Sequence, residues 1–295
     1  MSRLKIVDFV GTNPDDNLLI NAEARAAMSA LADHRRLAGR LVGRVKLAYL
    51  DPPYNTGRNF IHYRDNLDPF TWNTNLKETL EQVRRFLADD GSVWLHLDDA
   101  EQHRARLVLD EVFGPENFVA SIIWGRTQAP RTGQKPFAVR HDYIHVYRKS
   151  VAFQLNSKAG QPVDAIWPSP DTGLNEHATA EGRLLFGEPF ATPKPELLLK
   201  RIIELTTFPD DLVLDCYAGS GTTPAVAHKL GRRWLAIETE TATVQKFLKP
   251  RLQQVVAGSD QGGVSAEVGW SGGAGFTHLV MTDDALRSTD ASRPV

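Results

Sequence analysis

The chain's 295 residues can bury a full-sized core and suit one large α/β domain or a domain that carries an insert. A formal net charge of −2 argues against a surface coated in positive charge, and no apolar run reaches the roughly 18 residues that a membrane-spanning helix needs. The single cysteine, Cys216, excludes an internal disulfide framework and a cysteine-cluster metal site, and its expected role is that of a small buried hydrophobe.

The opening residues, MSRLKIVDFVGTNPDDN, lack the apolar stretch of a signal peptide, so a soluble cytoplasmic protein is expected. Residues 17–41 carry Ala and Leu at mixed helical spacing. VKLAYL (Val45–Leu50) then reads as a short buried strand that stops on Asp51-Pro52-Pro53-Tyr54. Leu76, Leu80, Val83 and Leu87 share one helix face, and Asp90-Gly91 closes that segment. SVWLHL follows as a strand, a helix runs to Val112 before Gly114-Pro115, and residues 118–124 and 143–147 are rich in β-formers.

Regularity lapses over residues 125–189, where Pro, Gly, Asn, Gln and Ser accumulate among scattered aromatics such as Trp167. This stretch reads as an inserted, partly irregular module. Its first part is basic: Arg126, Arg131, Lys135, Arg140, Arg148 and Lys149 face one acid, Asp142, for a local charge of about +5. Order returns at Pro195. Leu198, Ile202 and Leu205 share a helix face, DLVLDC is a buried strand, GTTPAVAHKL a helix, RRWLAIE a strand and residues 241–256 a longer helix. Residues 264–270 and 276–281 look like two last strands, and 283–295 form a polar tail expected to be disordered. Strands alternating with helices of this length predict an α/β fold, a mostly parallel, doubly wound sheet with an inserted region.

Two strand ends carry the chemical signals. After DLVLD comes CYAGSGTT, where Gly219 and Gly221 allow a sharp turn with bare main chain and the next helix opens with unpaired N–H groups. The spacing is not that of a dinucleotide site, since Pro224 stands where a third glycine belongs, and no Gly-Lys-Ser/Thr follows as in a P-loop. A turn without a phosphate cradle, with Asp215 before it and Glu238 after it to accept from ribose hydroxyls, suits S-adenosyl-L-methionine. At the other strand end, the Asp51 carboxylate and a Pro52 carbonyl held by fixed φ angles could accept both hydrogens of an exocyclic amine and localise its lone pair. Tyr54 offers a flat face for a base drawn out of a duplex. No metal is needed, and His141 and His145 alternate with apolar residues as structural histidines would.

These stretches, together with GSVWLHLDDAE, LDEVFGPENFVASIIW, HDYIHVYRKS, FATPKPELLLKRII and GGVSAEVGW, resemble amino-group DNA methyltransferases of the β arrangement. In that arrangement the Asp-Pro-Pro-Tyr element precedes the glycine turn. The chain is most similar to modification (Mod) subunits of type III restriction-modification systems, which methylate adenine at N6. The resemblance implies a Rossmann-like methyltransferase domain made of residues 1–124 and 190–282, with 125–189 as the target-recognition insert. It implies Asp51, Pro52, Pro53 and Tyr54 as catalytic. For the cofactor it implies Asp51, Thr192, Lys194, Pro195, Asp215, Tyr217, Ala218, Gly219, Ser220, Gly221, Thr222 and Glu238. Arg126, Arg131, Lys135, Arg140 and Arg148 would then face DNA. Double-stranded DNA is the implied substrate, and a homodimer and a restriction endonuclease subunit are admitted as partners. Tyr217 stands where the family usually has Phe, and the usual Gly-Asp-Asn before the first helix is not visible. The insert is short for a type III subunit, which suits a compact, solitary or type II-like enzyme. Methylation of cytosine N4 and a non-catalytic DNA-binding role remain the alternatives.

Overall fold

Apolar runs at Val45–Leu50 and Leu212–Asp215 are buried on both faces, and this dictates a central sheet covered by helices on each side. The computed structural model describes residues 3–13, 16–55, 58–59, 64–65, 67–128, 137–157, 161–188 and 190–282. In chain order the elements begin with β1 (Arg3–Gly11), β2 (Leu18–Asn21), α1 (Ala24–Asp33), α2 (Ala38–Leu41) and β3 (Val45–Leu50). A two-stranded ribbon of β4 (Arg58–Asn59) and β5 (Arg64–Asp65) comes next, then α3 (Pro69–Phe86), β6 (Leu87–Leu97), α4 (Gln102–Phe113), β7 (Phe118–Gly125) and β8 (His141–Arg148). The chain continues through β9 (Ile166–Trp167), α5 (Ser169–Thr172), α6 (Asn175–Phe186), α7 (Glu196–Thr206), β10 (Leu212–Asp215), α8 (Thr222–Lys229) and β11 (Arg233–Glu238). It ends with α9 (Thr241–Thr243), α10 (Lys249–Ala257), α11 (Ser265–Val268) and β12 (Gly275–Thr282).

The sheet order is β1-β12-β2-β11-β10-β3-β6-β8-β7-β9. From β12 to β6 all neighbours are parallel, whereas β8 pairs antiparallel with both β6 and β7, and β1 pairs antiparallel with β12. From β3 the chain proceeds to β6 on one side, and from β10 to β11 on the other. The order therefore reverses between β10 and β3, which opens a crevice at their carboxyl ends.

Each face has its own core. Ala27, Met28 and Leu31 of α1, Leu76, Leu80 and Val83 of α3, and Leu109 of α4 pack with Ala48, Leu50, Leu214 and Ile237. On the other face Leu198 and Ile202 of α7, Val226 of α8 and Leu252 of α10 pack with Leu47, Tyr49, Val213 and Trp234. Asp68 caps α3 by accepting from the Thr71 N–H, with Pro69 at the first helical position. The helix stops at Phe86, so Leu87, expected on its face, opens β6 instead.

Several expectations from the sequence are corrected. Residues 18–20 form a strand because β11 and β12 enclose them on both sides, burying Leu18, Leu19 and Ile20 together. Residues 264–270 form α11 and coil rather than a strand, and the Trp270 indole donates to the Val255 carbonyl. The boundary at residue 125 also shifts in meaning. β8 lies inside the supposed insert yet sits in the main sheet between β6 and β7, because its Ile144, Val146 and Tyr147 are needed to bury Trp94 and Phe118. Residues 283–295 lie outside the described residues.

Candidate active site

The elbow leaves β3 at the crevice. Asp51 Oδ1 accepts a 2.6 Å hydrogen bond from the Tyr54 hydroxyl, and Oδ2 is paired with the Lys194 ammonium. Burial and the Asp51 charge push the Tyr54 phenol well above its usual range, which keeps it a donor. The Pro53 carbonyl is tied at 2.9 Å to the Trp72 indole N–H, so the second proline cannot rotate away. Among the described residues, none donates to the Pro52 carbonyl. Asn55 follows with a left-handed φ of 56° and holds the elbow's exit, donating to Glu101 and accepting from the Leu67 N–H. Tyr54 lies nearly parallel to the buried His96 ring, with centroids 6.3 Å apart.

The glycine turn leaves β10 beside it. Gly221 has a φ of 82°, a left-handed conformation that favours glycine, and a Cβ there would come within 2.5 Å of Leu248 Cδ1 and make that side chain shift. The Gly219 N–H donates to Glu238 Oε2 at 2.8 Å and the Glu240 N–H to Oε1, so the acid at the end of β11 closes the turn. Burial raises the Glu238 carboxyl above its ordinary range, against the pull of those N–H groups. Asp215 is more extreme: burial lifts its carboxyl to about 7, opposed by hydrogen bonds from Thr223 and Tyr217 and assisted by the Asp51 and Glu238 charges.

Elbow and turn meet. Tyr49, Asp51, Phe190, Thr192, Lys194, Asp215, Tyr217, Ala218, Gly219, Ser220, Thr222 and Thr223 line a single cleft. A second, more apolar pocket shares the Tyr217 wall and is lined by Pro52, Pro53, Leu76, Trp72 and Thr79, with Glu23, Arg25 and Asn75 also on its walls. Behind the cleft a buried ion network braces both sides. Glu196, next to Pro195, accepts from Lys229, Arg251 and the Val264 N–H, and Arg251 also donates to Thr222 Oγ1 at 2.9 Å. The segment carrying Lys194 and the start of α8 are thus tied to one carboxylate.

Set beside known proteins, residues 45–249 match a DNA methylase family model. The chain belongs to the DNA methylase family. Among curated relatives, the "Probable type III restriction-modification enzyme HindVI Mod subunit" of Haemophilus influenzae is 25% identical over 91% of the chain and 54% of its own length. The chain spans about half the length of that relative. Among solved structures, the PvuII DNA methyltransferase (cytosine-N4-specific) aligns with a TM-score of 0.62 at 17% identity, covering 84% of this chain and 90% of that one. The M1.HpyAVI complex with SAM aligns with a TM-score of 0.55 at 21% identity, covering 80% and 98%.

The basic residues expected to face DNA separate in the structure. Arg126 is 7% exposed and paired with Asp142 at 2.8 Å, so its charge is spent inside the protein. Arg148 pairs in register with Ser92, at the amino end of the β6 ladder and away from the crevice, and bonds Asn117 and the Glu116 carbonyl. Arg140 is exposed and immediately precedes β8, whose first residues lie at the carboxyl end of β6, the same edge as Asp51. Arg131 and Lys135 lie outside the described residues. Sequence reasoning missed Tyr49, Phe190, Pro193 and Thr223 in the cleft. Tyr49 alone carried a signal, since it is the last β3 residue on its face before the elbow.

Two outcomes are expected. The folded Asp215 carboxyl titrates at about 7, above its ordinary 3.8, so its stabilising contribution is complete below 3.8 and is lost as pH rises through about 7. Melting temperatures across that range should fall for the wild-type chain and hold for Asp215→Asn; parallel curves would remove the assignment. Arg126→Met, which strands the buried Asp142, should lower the unfolding free energy in urea by about 3–5 kcal/mol. A change near zero would return Arg126 to the surface.

Proposed function

We propose that the cleft transfers a methyl group from S-adenosyl-L-methionine to N6 of an adenine in duplex DNA. One observation carries this reading: the acid-and-proline elbow and the glycine turn end neighbouring parallel strands and line one cleft. The cofactor suits the residues present. The main chain of Gly219 and Gly221, the first N–H groups of α8 and the Glu238 carboxylate match a ribose and an amino-acid end that carry no phosphate. The adjoining apolar pocket at Pro52, Pro53, Leu76 and Tyr217 matches the purine. When bound, the cofactor supplies an electrophilic methyl on a sulfonium.

The chain's own residues do the rest. The Asp51 carboxylate and the Pro52 carbonyl accept the two amine hydrogens, which concentrates the lone pair on nitrogen and draws off the proton that transfer releases. Lys194 balances the Asp51 charge and holds its orientation. Trp72 keeps the elbow from turning, so that the amine meets the methyl in line. Tyr54 gives the extruded base a face to stack on. Exposed Arg140, with Arg131 and Lys135 of the same basic stretch, supplies cations for the phosphate backbone. The likeness to a Mod subunit supports a place in a restriction-modification system.

A second reading, transfer to cytosine N4, draws support from the N4-specific enzyme among the structural neighbours. Asp51 favours adenine, because N4 transfer is more often associated with Ser at that position. Incubation with methyl-labelled cofactor and unmethylated DNA, followed by digestion to nucleosides, separates the two. Label is expected on N6-methyladenine; label on cytosine supports the second reading, and unlabelled DNA sinks both. Asp51→Ala should slow transfer by about a hundredfold or more while cofactor affinity stays within about threefold. Full activity in that variant would strip Asp51 of its role.

A further inference from the structure

Beneath the elbow lies a chain of polar side chains that the reaction does not itself use. The Tyr49 hydroxyl, in the wall of the cleft, is 2.8 Å from His96 Nδ1, and His96 Nε2 faces Asp142 Oδ2 at 3.4 Å. Asp142 Oδ1 meets Arg126 Nε at 2.8 Å. Relative exposures along the row are 1%, 0%, 3% and 7%, so water competes for none of these contacts. Four polar groups in a row inside a core cost desolvation that apolar side chains of similar volume would avoid. Their persistence at this spot therefore calls for a reason other than stability.

The two ends of the row supply one. Arg126 and Asp142 sit where β7 and β8 lead into and out of the basic stretch: the Arg126 N–H donates to the Arg140 carbonyl, and the Arg126 carbonyl accepts from the Asn175 N–H. Tyr49 and His96 sit under the reacting groups, with Tyr54 stacked near-parallel on His96 and bonded to Asp51. Trp124 of β7 packs edge-on against the same imidazole, with centroids 5.3 Å apart. Burial, reinforced by the Lys194 charge and opposed by Asp142 and Asp51, holds the imidazole below its ordinary range. In the tautomer that carries its proton on Nε2, that proton points at Asp142 and Nδ1 accepts from the Tyr49 hydroxyl. That 3.4 Å separation is longer than a normal hydrogen bond, and among the described residues Nε2 has no other partner. It is an open joint in the row, and the ion pair beyond it, Asp142 Oδ1 with Arg126 Nε, is not a hydrogen bond either.

We propose that His96 is a positioning residue that couples the root of the recognition stretch to the catalytic elbow, closing on Asp142 when target DNA seats beside Arg140. Closure draws the imidazole toward β8. The plane of Tyr54 and the Tyr54–Asp51 hydrogen bond move with it, so these two side chains, on a fixed main chain, take their productive orientation only on the correct sequence. A displacement of about 1 Å at such a site can change a rate a hundredfold, which is ample for discrimination. The proposal rests on the methyltransferase reading above.

The test compares single-turnover methylation of a duplex bearing the sequence the wild-type chain methylates with duplexes altered at one base pair of that site. Tyr49→Phe and Asp142→Asn are each expected to cut the ratio of the two rates by about fivefold or more, through the rate on the true site. Cofactor affinity, measured by calorimetry, is expected to stay within about threefold. A merely structural role would slow both duplexes equally, and that result, like unchanged rates, overturns the proposal. Should Asp142→Asn fail to fold, Tyr49→Phe, which removes one oxygen, decides alone. A wild-type chain that labels no DNA base overturns the functional reading before any variant is compared, which keeps the two failures distinct.

Discussion

The parallel ladder between β3 and β10 is the constraint on which the rest of the site depends. Leu47 pairs with Val213 and Ala48 with Leu214, so both strands run the same way and end at the same edge. The chain leaves the two strands in opposite directions, which places a crevice between their ends. An elbow bearing Asp51 and a turn bearing Gly219 and Gly221 are brought together by that register alone. Slipping β3 by a residue would turn Leu47 out of one core and Ala48 out of the other.

Around this edge the molecule hides charge in pairs. Lys194 with Asp51, Arg126 with Asp142, and Lys229 and Arg251 with Glu196 are all largely withdrawn from water. Such pairs contribute little net stability, since their mutual attraction is spent offsetting lost hydration. Their effect is geometric, because a buried carboxylate with several donors has one orientation that satisfies them. Glu196 illustrates this by fixing α7, α8 and α10 to the same point behind the glycine turn. The near-neutral overall charge therefore conceals an unevenly charged interior, and counting basic residues along a stretch overstates what its surface offers to phosphate.

A rigid elbow and an adjustable floor divide the work at the site. Pro52, Pro53 and the Trp72 hydrogen bond fix the main chain after Asp51, whereas the polar row at Tyr49, His96 and Asp142 contains a contact that can shorten. Rigidity serves the approach of nucleophile and methyl, where small errors in distance are costly. A joint beneath it allows that geometry to depend on what is bound elsewhere.

What the sequence determined by itself was local. The β3 strand and its proline stop, the β10 strand and its glycine turn, Glu238 at the end of β11 and the apolar face of α3 were all legible, because apolar runs, fixed φ angles and the need for positive φ act over a few residues. What tertiary structure decided was every matter of partnership. The strand formed by residues 18–20 owes its existence to β11 and β12, β8 joins the main sheet from within an apparent insert, and α11 stands where β-formers suggested a strand. Arg126 looked like a cation for DNA until Asp142, sixteen positions on, was found beside it, and His96 carried no signal at all. Partnership depends on which distant side chains share a burial site, and one-dimensional patterns record burial without recording with whom.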